Sequence, residues 1–160
     1  MSLAALPSTK DFKDLVEGLL GRDVALTDSQ QRIVADDPMV VGVFVDPSRQ
    51  IAACAAFDLP LAIYLGAAVA LTPPGGAQDM VADGELTSMV AENLFEIFNV
   101  MSALFHNDAH AQETLGEMYL PGHTLPPQVT AWLSHPTGRL DLDVEVSGYG
   151  SGRAVLATGL

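Results

Sequence analysis

The length, composition and charge of the chain exclude several classes of protein. It has 160 residues, of which 49% are hydrophobic and 17% charged, so we expect one folded domain over 1–160 and not a disordered chain. Seven lysines and arginines against 20 aspartates and glutamates give a formal net charge of −13. Because a field of this sign repels phosphate backbones and anionic lipids, we expect neither nucleic acid nor a membrane surface as a partner.

Cysteine content and apolar segments bear on the compartment in which the protein works. Cys54 is the one cysteine, so the chain cannot form an internal disulfide, and its apolar surroundings predict a buried structural thiol. The first residues lack the basic region and the long apolar core of a signal peptide. Asp58 and Pro60 interrupt the apolar segment 51–71, which leaves too short a run to cross a bilayer. We therefore expect a cytoplasmic protein.

An amphipathic helix is predicted near the beginning of the chain. Ser8 is placed to cap this helix, and Gly21 occupies the position typical of a glycine that follows a helix C-terminus. Between them the apolar residues recur at the spacing of a single buried stripe: Phe12, Leu15, Val16, Leu19 and Leu20.

A β-hairpin and a second helix are predicted next. Two apolar runs, 39–45 and 51–57, predict strands, and the five residues between them, which include a proline, predict the turn. Asp58 is a candidate cap for an apolar helix over 59–71. The two prolines and two glycines that follow Thr72 predict a break in the structure.

The second half of the chain predicts a long helix and then strands. The helical pattern begins at Asp83 and covers 84–105. The segments with strand character follow it: 114–120, 129–133, 139–146 and 153–158. In 139–146 apolar and acidic residues alternate without exception, which is typical of an antiparallel strand with one wet face. Together these elements predict an α+β fold, in which long helices pack on one face of an antiparallel-rich sheet.

The two sides of the long helix differ in chemistry. At about 100° per residue, one side collects apolar residues that predict a core contact: Leu86, Val90, Leu94, Ile97, Met101, Leu104 and Phe105. The opposite side forms a polar sector of about 80°, which Ala103 continues: Ser88, Glu92, Glu96 and Asn99. A solvated face would explain the acidic residues. The sector has no Lys or Arg, however, and includes an asparagine, a poor helix former, which favours a face that meets one partner. Asn93 lies on the core side, where we expect a hydrogen-bonded buried amide or an interface contact.

The sequence Glu96-x-x-Asn99, followed 22 positions later by Pro121, resembles the signature of the CheC/CheX/FliY family of chemotaxis phosphatases. The order of predicted elements also resembles that of CheX: an opening helix, a hairpin, a second helix, the signature helix and then strands. One copy of the signature is present, as in CheX, whereas CheC has two.

The resemblance implies a phosphatase that hydrolyses the aspartyl phosphate of a CheY-type receiver domain. Glu96 would bind the conserved lysine of the receiver, and Asn99 would orient a water molecule for in-line attack on phosphorus. These residue types suit the chemistry, because an acyl phosphate is already reactive and a neutral amide does not repel phosphoryl oxygens. The protein would need no cofactor of its own, since Mg²⁺ is expected on the phosphorylated partner. The family also implies a homodimer, for which the last strands would offer sheet edges.

Some positions depart from the family pattern. Glu92 stands where the family usually has Asp or Ser, and Ala103 stands where a glycine is common. Phe95 and Phe98 flank the signature pair, and their bulk would hinder a close approach to a receiver active site. These departures favour an alternative: a non-catalytic binding module of the same fold that engages a receiver or a flagellar-switch partner through the same helix. In either case Ser88, Glu92 and Phe95 are candidate partner-binding residues.

A third hypothesis makes the chain a small-molecule or metal binder that shares only the layered architecture. On a helix His106 and His110, with Asp108 between them, would place two rings on one side. The segment follows a predicted helix end, and the remaining histidines, His123 and His135, have no diagnostic spacing to it. We therefore expect surface histidines and no metal site.

Overall fold

Helices and antiparallel strands are interspersed along the chain. The computed structural model describes residues 5–106, 113–135 and 137–158. Its helices are α1 (Thr9–Leu20), α2 (Leu59–Val69), α3 (Pro74–Asp83), α4 (Ser88–Met101) and α5 (Pro127–Ser134), and a 3₁₀ turn (Ser102–Phe105) continues α4. Its strands are β1 (Val24–Asp28), β2 (Met39–Val45), β3 (Ile51–Asp58), β4 (Thr114–Tyr119), β5 (Arg139–Val146) and β6 (Gly150–Thr158).

The described strands form one sheet in the order β1-β5-β6-β3-β2-β4, with every neighbouring pair antiparallel. The predicted α+β fold with an antiparallel-rich sheet is confirmed. The edges of the sheet are β1 and β4, so the expectation that the last strands would offer edges is wrong. The reason is that β5 pairs with β1, a strand that the sequence analysis did not identify, and β6 pairs with β3. The homodimer stays a prediction.

Apolar side chains are buried on both faces of the sheet. Because side chains alternate along a strand, Phe44 and Phe57 lie on the face that packs against α1, α2 and α4. Val43 and Cys54 point to the opposite face, which is covered by α5 and by the segment that contains Ile33. The central strands are therefore enclosed on both sides, while the larger group of helices lies on one of them.

The predicted helix caps are confirmed at two positions. The hydroxyl of Ser8 accepts a hydrogen bond from the backbone N–H of Asp11 at 3.1 Å, and Gly21 adopts the left-handed conformation with φ of 66°. The Asp58 carboxylate accepts from the backbone N–H of Leu61 at 3.0 Å and so caps α2. In both cases a short polar side chain satisfies an N–H group that has no partner within the helix.

Two predicted segments have a different structure, and a pair of prolines lies in or just before each of them. The break predicted after Thr72 is short, because α3 begins at Pro74. The strand predicted over 129–133 lies inside α5, which begins at Pro127. In each pair the first proline is extended and the second takes the first helical position, where its missing N–H is not needed. The sequence analysis interpreted the first pair as a break only and did not consider the second.

The helix predicted over 84–105 begins at Ser88, because Asp83 is the last residue of α3 and residues 84–87 separate the two helices. Gly84, with φ of 65°, ends α3 in the left-handed conformation that glycine adopts without steric cost. Thr87 then caps α4, since its hydroxyl accepts a hydrogen bond from the backbone N–H of Val90 at 3.3 Å. The polar sector is therefore carried by a helix of 14 residues that begins at Ser88.

The alternation predicted for 139–146 is present in β5, with one exception. Three apolar residues are buried, and Asp143 and Glu145 are exposed. Asp141 is instead mostly buried, because both of its carboxylate oxygens accept hydrogen bonds from the Arg139 guanidinium, at 2.9 and 2.8 Å. The same guanidinium donates to the carbonyl oxygens of Leu133, at 2.7 Å, and Ile33, at 2.8 Å. The solvent-exposed side of β5 is therefore limited to its second half, and the first half carries a buried ion pair on that side.

Two apolar features have their expected structural roles. Among the described residues, no helix is long and apolar enough to cross a membrane. The apolar segment after Asp58 forms α2, whose residues are mostly buried among other elements of the fold. Cys54 is buried in β3, and burial raises the pKa of its thiol to about 12.

Candidate functional site

The position of α4 on the sheet depends on a close contact at Gly42. A Cβ atom added to Gly42 would lie 2.5 Å from Cδ1 of Phe98, so the aromatic ring occupies the space that any other residue would need. On its other side the Phe98 ring stacks on Phe57, with ring centroids 4.9 Å apart. These contacts hold the middle of α4 firmly on the sheet.

A second close contact joins α4 to α2. A Cβ atom added to Gly66 would lie 2.7 Å from Cγ1 of Val90, so the two helices approach each other closely at this glycine. The Asn93 side-chain amide donates to the carbonyl oxygen of Gly66 at 2.9 Å. The interpretation of Asn93 as a hydrogen-bonded core-side amide is thereby confirmed. Together these contacts set the rotation of α4 about its axis.

This rotation turns the predicted polar sector toward solvent. The four residues of the sector are exposed: Ser88, Glu92, Glu96 and Asn99. Three large apolar residues of the same helix are also partly exposed, at 40, 45 and 43%: Met89, Phe95 and Val100. We call these seven residues the α4 face.

The polar groups of the α4 face have few partners within the protein. Among the described residues, no Lys, Arg or His lies within ion-pair distance of Glu92 or Glu96. Asn99 uses its backbone carbonyl to accept from the Ser102 hydroxyl at 2.7 Å, whereas no described residue hydrogen-bonds its side-chain amide. Residues three and four apart on a helix are neighbours, so the three side chains are able to contact one external group. The two carboxylates are able to bind a cationic group, and the amide is able to bind a water molecule.

The two phenylalanines beside the signature residues differ in exposure. Phe98 is 0% exposed, whereas Phe95 is 45% exposed. The expectation that both would hinder the approach of a partner is wrong for Phe98, because its ring fills the contact between α4 and the sheet. Of these two rings, only that of Phe95 adds bulk to the surface beside Asn99.

The sequence analysis did not identify Met89 and Val100 as part of the surface. Both lie at the boundary between the polar sector and the core side, about 100–120° around the helix axis from Ser88. Angular position alone assigns such residues to neither side. Their exposure depends on how much of α4 the neighbouring elements cover, which the helical pattern alone does not show.

Pro121 lies in the turn that follows β4, not on the α4 face. It lines an open cleft of about 530 Å³ together with residues of 35–39, of the turn 120–125 and with Thr130. None of the residues that line this cleft belongs to α4. Pro121 therefore follows the end of β4 and borders a cleft that is formed without residues of α4.

The described histidines do not converge on one site. The Nε2 atom of His106 lies 2.8 Å from the carbonyl oxygen of Glu113, while His123 lines the cleft beside Pro121. His110 and Asp108 lie outside the described residues, so the predicted pairing with His106 is not described. Within 5–106, 113–135 and 137–158, no three His, Cys, Asp or Glu side chains form a group that would hold a metal ion.

Solved structures of low sequence identity share this fold. The FliM middle domain from H. pylori matches with a TM-score of 0.61 and 8% identity, over 93% of this chain and 83% of that chain. FliY from Thermotoga maritima matches with a TM-score of 0.60 and 13% identity, over 92% of this chain and 81% of that chain. The CheX-CheY-BeF₃-Mg²⁺ complex from Borrelia burgdorferi matches with a TM-score of 0.52 and 12% identity, over 90% of each chain. No protein-family model and no curated protein sequence matches the chain. The chain therefore has the fold that is shared by FliY, CheX and the FliM middle domain.

Proposed function

We propose that this chain is a CheX-like phosphatase that hydrolyses the aspartyl phosphate of a CheY-type receiver domain. The observation that carries the proposal is the pair Glu96 and Asn99, exposed on α4 of a fold that CheX shares. Their side chains have no ion-pair or hydrogen-bond partner among the described residues, which supports a role in contacting a partner. The structural similarity to a complex of CheX with CheY supports a receiver as that partner.

In this proposal Glu96 docks the receiver and Asn99 acts on the attacking water. The Glu96 carboxylate accepts a charge-assisted hydrogen bond from the receiver lysine, which places α4 across the phosphorylated site. One turn further, the Asn99 amide binds a water molecule and directs its oxygen at the phosphorus. The bond from this oxygen to phosphorus forms as the bond from phosphorus to the aspartyl oxygen breaks, and inorganic phosphate is released. A Mg²⁺ ion, which we expect on the receiver and not on this chain, would neutralise charge on the phosphoryl oxygens and the leaving carboxylate.

The rigidity of α4 supports this role. Positioning of a nucleophile contributes to the rate only when the positioning group itself is held in place. Asn99 directly follows Phe98, whose ring is fixed between Gly42 and Phe57. The backbone that carries the amide is thus anchored in the core one residue away.

The proposal is tested by following the decay of a phosphorylated receiver with and without the protein. We expect the wild type to accelerate decay and Asn99→Ala to lose most of the acceleration, by roughly 100-fold, while it still binds the receiver. Glu96→Ala should weaken receiver binding, because the lysine loses its carboxylate partner. Glu85→Ala is the charge-matched control, since Glu85 is exposed but precedes α4, and it should retain activity. Acceleration that survives Asn99→Ala would contradict the proposal.

The second candidate function is a non-catalytic binding module that engages a receiver or a flagellar-switch partner. The exposed ring of Phe95 favours it, because a large side chain beside Asn99 limits how closely a receiver active site approaches. The fold similarity to FliM and FliY is consistent with it. This function predicts receiver binding that tolerates Asn99→Ala and an unchanged lifetime of the phosphate.

A further inference from the structure

We infer that Phe95 is the specificity-determining contact of the α4 face, and that it enters an apolar recess next to a cationic side chain of the partner. The inference rests on the proposed function and defines the receiver surface that this chain recognises. Two observations support it: Phe95 is exposed among the polar residues of α4, and the α4 face is negatively charged.

Phe95 is a surface neighbour of Asn99. It lies four residues before Asn99 and about 40° from it around the helix axis, whereas it is about 100° from Glu96. A group that contacts the Asn99 amide from the side away from Glu96 therefore also covers the Phe95 ring. At 45% exposure the ring retains a large apolar area that a partner would remove from water. Aromatic side chains in such positions often provide much of the binding energy of an interface.

The charge of the α4 face defines the chemistry of the partner. The face carries Glu92 and Glu96, and the sequence has no Lys or Arg from residue 88 to residue 105. A second copy of this chain would bring the same carboxylates together, and an anionic membrane would be repelled. A protein surface with a cationic side chain beside an apolar recess satisfies both the carboxylates and the ring.

Val100 is a matched comparison for Phe95 on the same helix. Its exposed fraction is 43%, nearly that of Phe95, and it lies just over one turn further along α4. It is rotated about 140° around the axis from Phe95 and borders the opposite edge of the pair, four residues after Glu96 and about 40° from it. A partner centred on Asn99 contacts Phe95, about 40° away, more fully than Val100, about 100° away. At a similar exposed fraction the smaller valine also offers less apolar area than the phenylalanine ring, so we expect Val100 to contribute less.

The test is the affinity for a receiver loaded with beryllium fluoride and Mg²⁺, with the full chain and single variants. Phe95→Ser should weaken binding by roughly tenfold or more, while Phe95→Leu, which keeps apolar volume, should stay within about threefold of the wild type. Val100→Ser should change affinity by less than about twofold. In turnover measurements Phe95→Ser should raise KM and leave kcat unchanged, because the ring contacts the partner and not the water. Thermal unfolding followed by circular dichroism should show that all three variants fold, since both sites are half exposed.

The outcomes separate this inference from the proposed phosphatase. If the wild type binds and Phe95→Ser binds equally well, or if Val100→Ser is weakened as much, Phe95 has no special role. If the wild type binds the receiver without accelerating phosphate loss, and Phe95→Ser weakens that binding, the Phe95 contact is supported and the proposed phosphatase activity is overturned. If the wild type binds no receiver, both are overturned.

Discussion

Gly42 and Gly66 lie where α4 comes closest to the sheet and to α2. Neither residue has chemistry of its own, yet the space above each is filled by a side chain of α4, Phe98 or Val90. The sequence analysis identified Glu96 and Asn99 from their types and spacing. It did not identify these glycines, because their role depends on residues about 25 and 55 positions away in the sequence.

Replacing Gly42 with alanine should displace Phe98 and with it the neighbouring Asn99. The added methyl group would lie 2.5 Å from the Phe98 ring, so we expect a loss of about 1–3 kcal/mol in unfolding free energy. The proposed phosphatase activity should fall as well, because Asn99 directly follows Phe98. Gly18→Ala is the opposite control, because an added Cβ meets nothing within 4 Å at this exposed position in the last turn of α1. It should raise stability by roughly 0.5–1 kcal/mol. Urea denaturation of both variants measures these changes, and an unchanged midpoint for Gly42→Ala would contradict the packing argument.

The starts of the helices show how far local sequence determines an element. Ser8 and Asp58 were predicted as caps and have that role, because a cap needs only a short polar side chain and the next three residues. The starts of α3 and α5 were not predicted, since a proline pair is compatible with a break and with a first helical turn. In the fold, apolar residues that follow each pair, Ala77 and Val129, are buried, which favours the helix.

The boundary between α3 and α4 leads to a test at the level of the element. Thr87→Ala should lower the unfolding free energy by about 1 kcal/mol, because the hydrogen bond to the backbone N–H of Val90 is lost. Thr87→Ser should retain stability. Asp83→Ala should be neutral or slightly stabilising, since Asp83 ends α3 and an acidic residue is unfavourable at a helix C-terminus. Thermal denaturation of the three variants measures this, and a larger loss for Asp83→Ala would favour one continuous helix.

In the whole molecule, the described sheet has apolar cover on both faces, and Arg139 joins the elements that cover one of them. The Arg139 side chain is 2% exposed. Its guanidinium connects β5 to the end of α5 and to the segment before β2. The sequence suggested an ordinary alternating strand there, with Asp141 in solvent. Arg139 and Asp141 are buried because α5 and the segment 29–38 pack over this end of β5, which the sequence of the strand alone does not show.

Arg139→Lys should destabilise the fold much more than the same change at Arg153. Lysine cannot replace the planar fork that binds Asp141 and two carbonyl oxygens, so roughly 2–4 kcal/mol of unfolding free energy should be lost. Arg153, with 35% of its side chain exposed and a single ion pair to Asp58 at 3.5 Å, is the matched control and should lose less than about 1 kcal/mol. Equal effects in chemical denaturation would contradict a special role for the buried network.

The sequence by itself determined the α+β class, the hairpin of β2 and β3, the caps of α1 and α2, and the polar residues of α4. These features depend on periodicity and on side chains within a few residues of one another, which are readable without long-range contacts. The tertiary structure decided that Phe98 is buried while Phe95 is exposed, that β5 and β6 lie inside the sheet, and that Pro121 lines a cleft formed without residues of α4. Each of these depends on which distant segment covers a given surface, and that is settled only when the sheet order and the contacts of α4 are formed.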